Sequence, residues 1–264
     1  LAVLLSACPG LGDDFPRNDD PDPEEPTPPE DPAGELRAAV VVLERQVDLA
    51  GDVDVLATAS WFTPQALRLR PAQPGGLDAC EATTETPGAF FLPAHDRDLG
   101  STVLDTATGE VELGFDGTWW SAFLAPSRWE SNQEFTFRVT GGPDLPAQFW
   151  EAGLGTPGVL EIDGASADDE GLALSWAGSN GDGSVRLTLR APAPGRDLLV
   201  VCKLFDDGEQ LLTWDDLAGL PEGEVGVEMR RETSSVFEFD DRRGDAVGAS
   251  TALGLVELPT PPEG

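Results

Sequence analysis

The chain of 264 residues contains no tyrosine, one histidine and three cysteines. A single histidine excludes a metal site built from paired imidazoles. Neither Cys-x-x-Cys nor His-x-x-x-His spacing occurs, so no zinc-ligand pattern is present. No Gly-x-Ser-x-Gly elbow accompanies a strand-to-helix turn, and no glycine loop cradles phosphate ahead of a helix. Base is scarce as well: 16 Lys and Arg stand against 49 Asp and Glu, a formal charge of −33. Phosphate binding relies on Lys and Arg to displace counterions, so nucleic acid is excluded as a partner. The same balance disfavours electrostatic binding to anionic lipid head groups. It leaves basic proteins, cationic peptides and divalent cations open, alongside plain solubility and self-repulsion. Helical stripes of useful length are missing too, and the opening apolar run, Leu1-Ala2-Val3-Leu4-Leu5, is too short to span a bilayer.

What is present begins at that run. It leads into Ser6 and Ala7 and then Cys8. Small residues before a cut site fit a protease cleft, and a thiol is the nucleophile that takes a lipid. Leu5-Ser6-Ala7-Cys8 resembles the lipobox of bacterial lipoproteins. That resemblance implies cleavage before Cys8, a diacylglycerol thioether on Cys8, and residues 1–7 as a signal-peptide remnant. The Met and positively charged segment that open a signal peptide do not precede the run, so the chain is expected to be clipped at its start. The implied location is the bacterial cell envelope, periplasmic or cell-surface, with the membrane as partner through the N-terminal lipid.

Residues 8–34 have little to bury. Proline alternates with acid, and nine acids against the single base Arg17 give a net −8. Such a segment cannot repay its ordering entropy and is expected to be a disordered tether. Proline biases it toward polyproline II, at about 3.1 Å per residue, so it would reach about 80 Å when extended.

Beyond Gly34 the texture changes to short apolar runs broken by Gly, Pro and Asp. Val40 to Leu43 read as a strand; Val53, Val55, Ala57 and Ala59 alternate into Trp61; Val111, Leu113 and Phe115 share a face, as do Phe135, Phe137 and Val139. Later come Leu172-Ala173-Leu174-Ser175-Trp176, then Val185, Leu187 and Leu189, the run 198–201, Phe237 with Phe239, and Leu253 with Leu255 and Leu258. Period-two runs at short spacing, joined by Asn-Gly and Asp-Gly turns, predict an all-β fold of sandwich type. Residues 214–219 predict one short helical turn.

An internal repeat divides this region. Ala59-Ser60-Trp61, Leu67-Arg68-Leu69-Arg70, Pro74-Gly75, Cys80 and Gly109-Glu110-Val111 follow the same order as Leu174-Ser175-Trp176, Leu187-Thr188-Leu189-Arg190, Pro194-Gly195, Cys202 and Gly223-Glu224-Val225. Two related β-sandwich domains are therefore expected, 35–160 and 161–264. The stretch 172–189, a tryptophan strand, the Asn180-Gly181-Asp182-Gly183 turn and a second strand, resembles fibronectin type III and immunoglobulin-like modules, in which a tryptophan fills the space between sheets. The second half also resembles extracellular bacterial domains with an Asp-Asp-Gly turn after a cysteine strand, here Asp206-Asp207-Gly208.

With Cys8 assigned to lipid, Cys80 and Cys202 remain. In an oxidising compartment an even remainder suggests a disulfide, contributing on the order of 4–5 kcal/mol in the chain-entropy model; two small core residues on separate strands are the alternative. No cofactor is expected. Calcium is the one metal considered, with Asn180, Asp182, Asp206, Asp207 and Asp168-Asp169-Glu170 as hard oxygen donors on turns, although turn chemistry alone accounts for those residues. Adjacent Trp119 and Trp120 cannot both face inward on a regular strand, which makes them the candidate platform for stacking a sugar ring. The expectation is non-enzymatic binding or a structural role at the envelope, with a protein or glycan ligand. A carbohydrate or adhesion module using Trp119 or Trp120 is the first alternative, and a secreted hydrolase with His95 the second.

Overall fold

The computed structural model describes residues 38–62, 74–85, 100–115, 120–140, 150–177, 183–239 and 242–260. Fifteen strands carry most of them: β1 (Ala38–Val47), β2 (Val53–Phe62), β3 (Ala79–Glu85), β4 (Thr102–Thr106), β5 (Gly109–Phe115), β6 (Trp120–Leu124), β7 (Glu134–Val139), β8 (Trp150–Gly155), β9 (Ile162–Ala167), β10 (Gly171–Trp176), β11 (Ser184–Ala193), β12 (Arg196–Phe205), β13 (Glu209–Thr213), β14 (Gly223–Phe239) and β15 (Arg242–Leu258). The chain is all-β, as its alternating pattern predicts. Among the described residues one 3-10 turn, Pro126–Arg128, is the exception in regular structure. In the 214–219 stretch a single turn forms, in which Leu217 N–H donates to Thr213 C=O at 3.1 Å.

Local chemistry sets the turns. In the β1–β2 hairpin, Asp48 Oδ1 accepts from Ala50 N and Asp52 N at 2.8 and 2.9 Å, and Gly51 takes the left-handed backbone (φ 84°) that closes the loop. The repeated Gly-Glu-Val has one backbone role in both copies: Gly109 opens β5 at φ 121° and Gly223 opens β14 at φ 112°. Side chains rarely adopt such angles, which is why glycine stands at both places.

Twelve strands form one sheet in the order β3-β12-β11-β14-β15-β1-β2-β6-β5-β4-β7-β8, and β13-β10-β9 form a second. All pairings among the described residues are antiparallel except β1 with β15, which run parallel from Ala38↔Arg243 to Val47↔Ala252. The large sheet folds back on itself at β5. Gly114 and Phe115 pair with β6, whereas residues 109–113 pair with β4. This bend places β4, β7 and β8 opposite β1, β2 and β6, and encloses a first core of Leu43, Ala57, Leu104, Trp120, Phe135, Phe137 and Leu154 among others.

The second core lies between the small sheet and the β12-β11-β14-β15 portion of the large one. Leu172, Leu174 and Trp176 of β10 meet Val185, Leu187 and Leu189 of β11 and Val200, Cys202 and Leu204 of β12. Trp176 is buried between the two sheets, the place that the period-two pattern of its strand gives it. Both cores rest on the same ribbon. The β14–β15 hairpin is seventeen residues long on each arm; Val225, Val227 and Met229 belong to the second core, while Phe237 and Ala246 belong to the first. Phe237 lies over Gly244, its directly opposed partner, filling the space that a side chain there would need.

Sequence halves and spatial halves differ in one respect. Strand β3 comes from the first half of the chain yet pairs along β12, from Asp197↔Glu85 to Lys203↔Ala79. It extends the large sheet beside the second core, not the first. Nothing in the local pattern of β3 distinguishes these two destinations.

Candidate functional site

Of the residues singled out in the sequence, Cys80 and Cys202 are brought together. They oppose each other directly on β3 and β12, are joined by a disulfide, and have Cα atoms 4.1 Å apart. The alternative of two separate core thiols is therefore set aside. Cys8 lies outside the described residues, as do His95, Trp119, Asn180 and Asp182.

Of the two tryptophans named as a candidate stacking platform, Trp120 is placed inward. Its side chain is only 5% exposed and packs at 4.5 Å, centroid to centroid, on Phe115. On β6 it shares the inward parity of Leu124, and its side chain belongs to the first core. Trp129 and Trp176 are buried too, and Trp214 is half-buried with Nε1 donating to Asp169 C=O at 3.1 Å. The outward aromatic of β6 is Phe123, 76% exposed.

Asp206, considered above as an oxygen donor for calcium, has another task. It is 1% exposed and accepts two hydrogen bonds from Arg231, at 2.6 and 2.7 Å, and one from Trp176 Nε1 at 3.0 Å. Arg231 uses its remaining donors on backbone carbonyls: Gly158 at 3.1 Å, Val159 at 2.8 Å and Ala177 at 2.9 Å. All five guanidinium N–H groups are satisfied, the condition for holding a charge inside. The strand pattern carries a signal for this. Val225, Val227, Met229 and Arg231 share one parity, so the alternation that buries the first three also turns Arg231 inward. Asp168, by contrast, lies on an exposed turn that it caps itself, accepting from Glu170 N at 2.8 Å. Among the described residues no group of three or more His, Cys, Asp or Glu is arranged to hold a metal ion.

Arg231 begins a polar row along β14. Two residues on, Thr233 Oγ1 donates to Gly155 C=O; two further, Ser235 Oγ donates to Gly153 C=O at 2.6 Å. From the other arm, Ser250 Oγ accepts from Leu160 N at 2.9 Å. These side chains pin β8 and the crossing segment 156–160 onto the ribbon, between the two cores. Gly248 has to be glycine here, since a Cβ would come within 2.2 Å of Gly155 O.

The outer face of the ribbon is charged but locally neutralised. Arg230 is ion-paired with Glu44 and Glu232, and Glu44 also accepts from Thr251. Burial works against the Arg230 charge, Glu44 and Glu232 favour it, and the balance raises its guanidinium above the ordinary value. Arg138 is raised by hydrogen bonds to Asp105 and then Glu110. Nearby on the ribbon, Gly226 leaves a notch of about 190 Å³ walled by Leu49, Arg190, Leu253 and Leu255.

The two ends of the large sheet differ. At the β8 end, Gly153 and Gly155 carbonyls are occupied by hydroxyls of β14. At the β3 end, Glu81, Ala82, Thr83 and Thr84 are all exposed, and among the described residues no strand lies beyond them.

No family model matches the chain, and no curated protein matches it. Similar solved structures include the FN1-FN3 domains of chicken CNTN1, at 8% identity and a TM-score of 0.28, covering 84% of this chain and 65% of that one. A biofilm-associated protein's BSP domain is another, at 10% identity and a TM-score of 0.22, covering 88% of this chain and 32% of that one. The chain thus spans just under two thirds of the first and about a third of the second.

Proposed function

We propose that this chain is a lipid-anchored protein of the bacterial cell envelope, attached through Cys8 and carried on the acidic stalk 8–34. In this reading two β-sandwich domains, 35–160 and 161–264, perform non-enzymatic binding or structural work, with β3 of the first domain added to the sheet of the second. The observation that carries the reading is the Cys80–Cys202 bridge. A structural disulfide belongs to an oxidising compartment, and the pairing consumes two of the three cysteines, so that Cys8 is the thiol left for acylation. The Leu5-Ser6-Ala7-Cys8 sequence supplies the recognition chemistry for that step.

Intact mass and N-terminal peptide mass spectrometry of the native product test the reading. A diacylglyceryl mass on residue 8, lost in Cys8→Ser, is the expected result. An unmodified Cys8 still joined to the residues before it overturns the anchoring.

A further inference from the structure

The disulfide also reports the hydrogen-bond phase of the sheet edge. In an antiparallel pair, opposed residues alternate between hydrogen-bonded positions, with Cα atoms about 5.5 Å apart, and non-hydrogen-bonded positions, about 4.5 Å apart. Cys80 and Cys202 are directly opposed at 4.1 Å and so occupy a non-hydrogen-bonded position. The backbone N–H and C=O of Cys80 therefore point away from β12, and those of Ala82 and Thr84 follow at the same phase. Glu81 and Thr83 make the ladder bonds to Val201 and Leu199. Among the described residues no strand meets the outward groups of 80, 82 and 84.

Open edges invite pairing, and proteins ordinarily blunt them with proline, lysine, a bulge or a cover. Strand β3 has neither proline nor lysine within it. The opposite end of the sheet shows the contrast, with its carbonyls occupied by Thr233 and Ser235. Covalent attachment of β3 to β12 makes the open edge a fixed platform, one that cannot peel away when another strand adds to it.

We propose that the β3 edge is a strand-addition site for an extended cationic segment of a partner protein. Backbone pairing would come through Cys80, Ala82 and Thr84, and selection through the side chains beside them. A residue opposite Ala82 lies next to a methyl group and, beyond it, to Gly219, where an added Cβ would stand 3.9 Å from that of Ala82. That face therefore takes small or β-branched residues. On the other face the Glu81 carboxylate is exposed beside Thr83, so that face takes Arg or Lys as cross-strand partners. The net −33 favours a basic strand over a second copy of this chain, whose own −33 would oppose approach. The inference deepens the binding role proposed above, and is independent of acylation at Cys8.

The test uses the full chain and a synthetic heptapeptide, Thr-Arg-Val-Arg-Val-Arg-Thr, titrated by fluorescence anisotropy. In the proposed alignment the Val and Thr amides face β3 and the Arg amides face solvent. N-methylation of the two Val residues is expected to weaken binding at least tenfold, and N-methylation of Arg less than twofold. Replacing Arg by Glu in the peptide is expected to abolish binding. Ala82→Pro removes an outward N–H without taking a bond from β12, and should also cost tenfold with the disulfide intact. If that variant misfolds, the two methylated peptides decide the matter on the natural protein. Equal binding by both methylated peptides, undiminished binding by the Glu peptide, no binding by the parent peptide, or sedimentation as a dimer that Ala82→Pro dissolves would each overturn the proposal. Loss of the Cys8 lipid alters none of these readouts, so the two readings fail separately.

Discussion

Along β14, the side chains at 225, 227 and 229 enter one core and Phe237 enters the other, while Arg231, Thr233 and Ser235 between them reach for the backbone that crosses from β8 to β9. The two sides of this divide are secured differently. Beside the second core the fastening is ionic and covalent: Arg231 on Asp206, and Cys80 on Cys202. Beside the first it is made of hydroxyls on carbonyls, Thr233 on Gly155 and Ser235 on Gly153. A buried charge is unforgiving, because removing its partner strands an ion without solvent. A hydroxyl leaves only an unpaired carbonyl, beside an edge where water can reach some of the groups.

The largest break in that comparison is Arg231→Ala, which takes the counter-charge from buried Asp206 and frees the Gly158, Val159 and Ala177 carbonyls. The cost should be about 3–5 kcal/mol by urea denaturation, with Trp176 fluorescence shifted because its indole partner changes. Replacing Arg231 and Asp206 together by Met and Leu should cost less than Arg231→Ala alone; a larger loss would mean that the pair itself stabilises the fold. Next comes the bridge. Its partners are 122 residues apart, and Cys80→Ala with Cys202→Ala should lower stability by about 2–5 kcal/mol, seen equally as a lower melting temperature after reduction of the natural protein. Thr233→Val should cost about 1–3 kcal/mol, and Gly248→Ala a comparable amount by pushing Gly155 away. Both should raise amide exchange in β8 before it rises in β10, whereas Arg231→Ala should raise both together.

The smallest effect sharpens the comparison from outside the cores. Arg138→Gln removes a surface cluster with Asp105 and Glu110, and the melting temperature should barely move, less still at 1 M NaCl. The pH dependence has a definite sign. Because the folded-state guanidinium values of Arg138 and Arg230 are raised, their contribution is complete below the unfolded value and is lost only as pH passes the folded one. No loss of stability from either arginine should therefore appear on titrating from pH 7 to pH 10.

Much of the architecture is legible in the chain. Alternation at 135–139 and 185–189 marks strands and their inward faces, alternation at 111–115 marks a strand of which Leu113 is buried and Phe115 exposed, and the repeated glycine before Glu-Val marks two strand starts with the same backbone demand. Strands β4, β9 and β13 are short and polar on at least one face, and leave little periodic signal. Long-range placement is a different matter. That β3 joins β12 beside the second core, and that β1 runs parallel to β15, depend on which edges remain available once the hairpins form, which no local pattern states. Of the candidate site residues, Cys80 and Cys202 stand out by count, while their pairing waits on the register of β3 against β12. Trp120 faces the core and not solvent, because parity alone does not say which of two adjacent indoles goes inward; Phe115 beside it and Leu124 at the same phase do. The inward place of Arg231 could be found by extending the parity of Val225, Val227 and Met229 by one step, and that of Asp206 by extending Val200, Cys202 and Leu204.

The parallel partnership of β1 and β15 has a mechanical side. A tensile load applied through the start of β1 and resisted from the end of β15 runs along both strands in opposite directions. The ten-residue ladder between them would then have to slide as a unit, with its bonds strained together. In a hairpin pulled from its open end, the rungs break in succession under a far smaller force. The route of the chain through this one pairing thus sets how a tug on the molecule is borne.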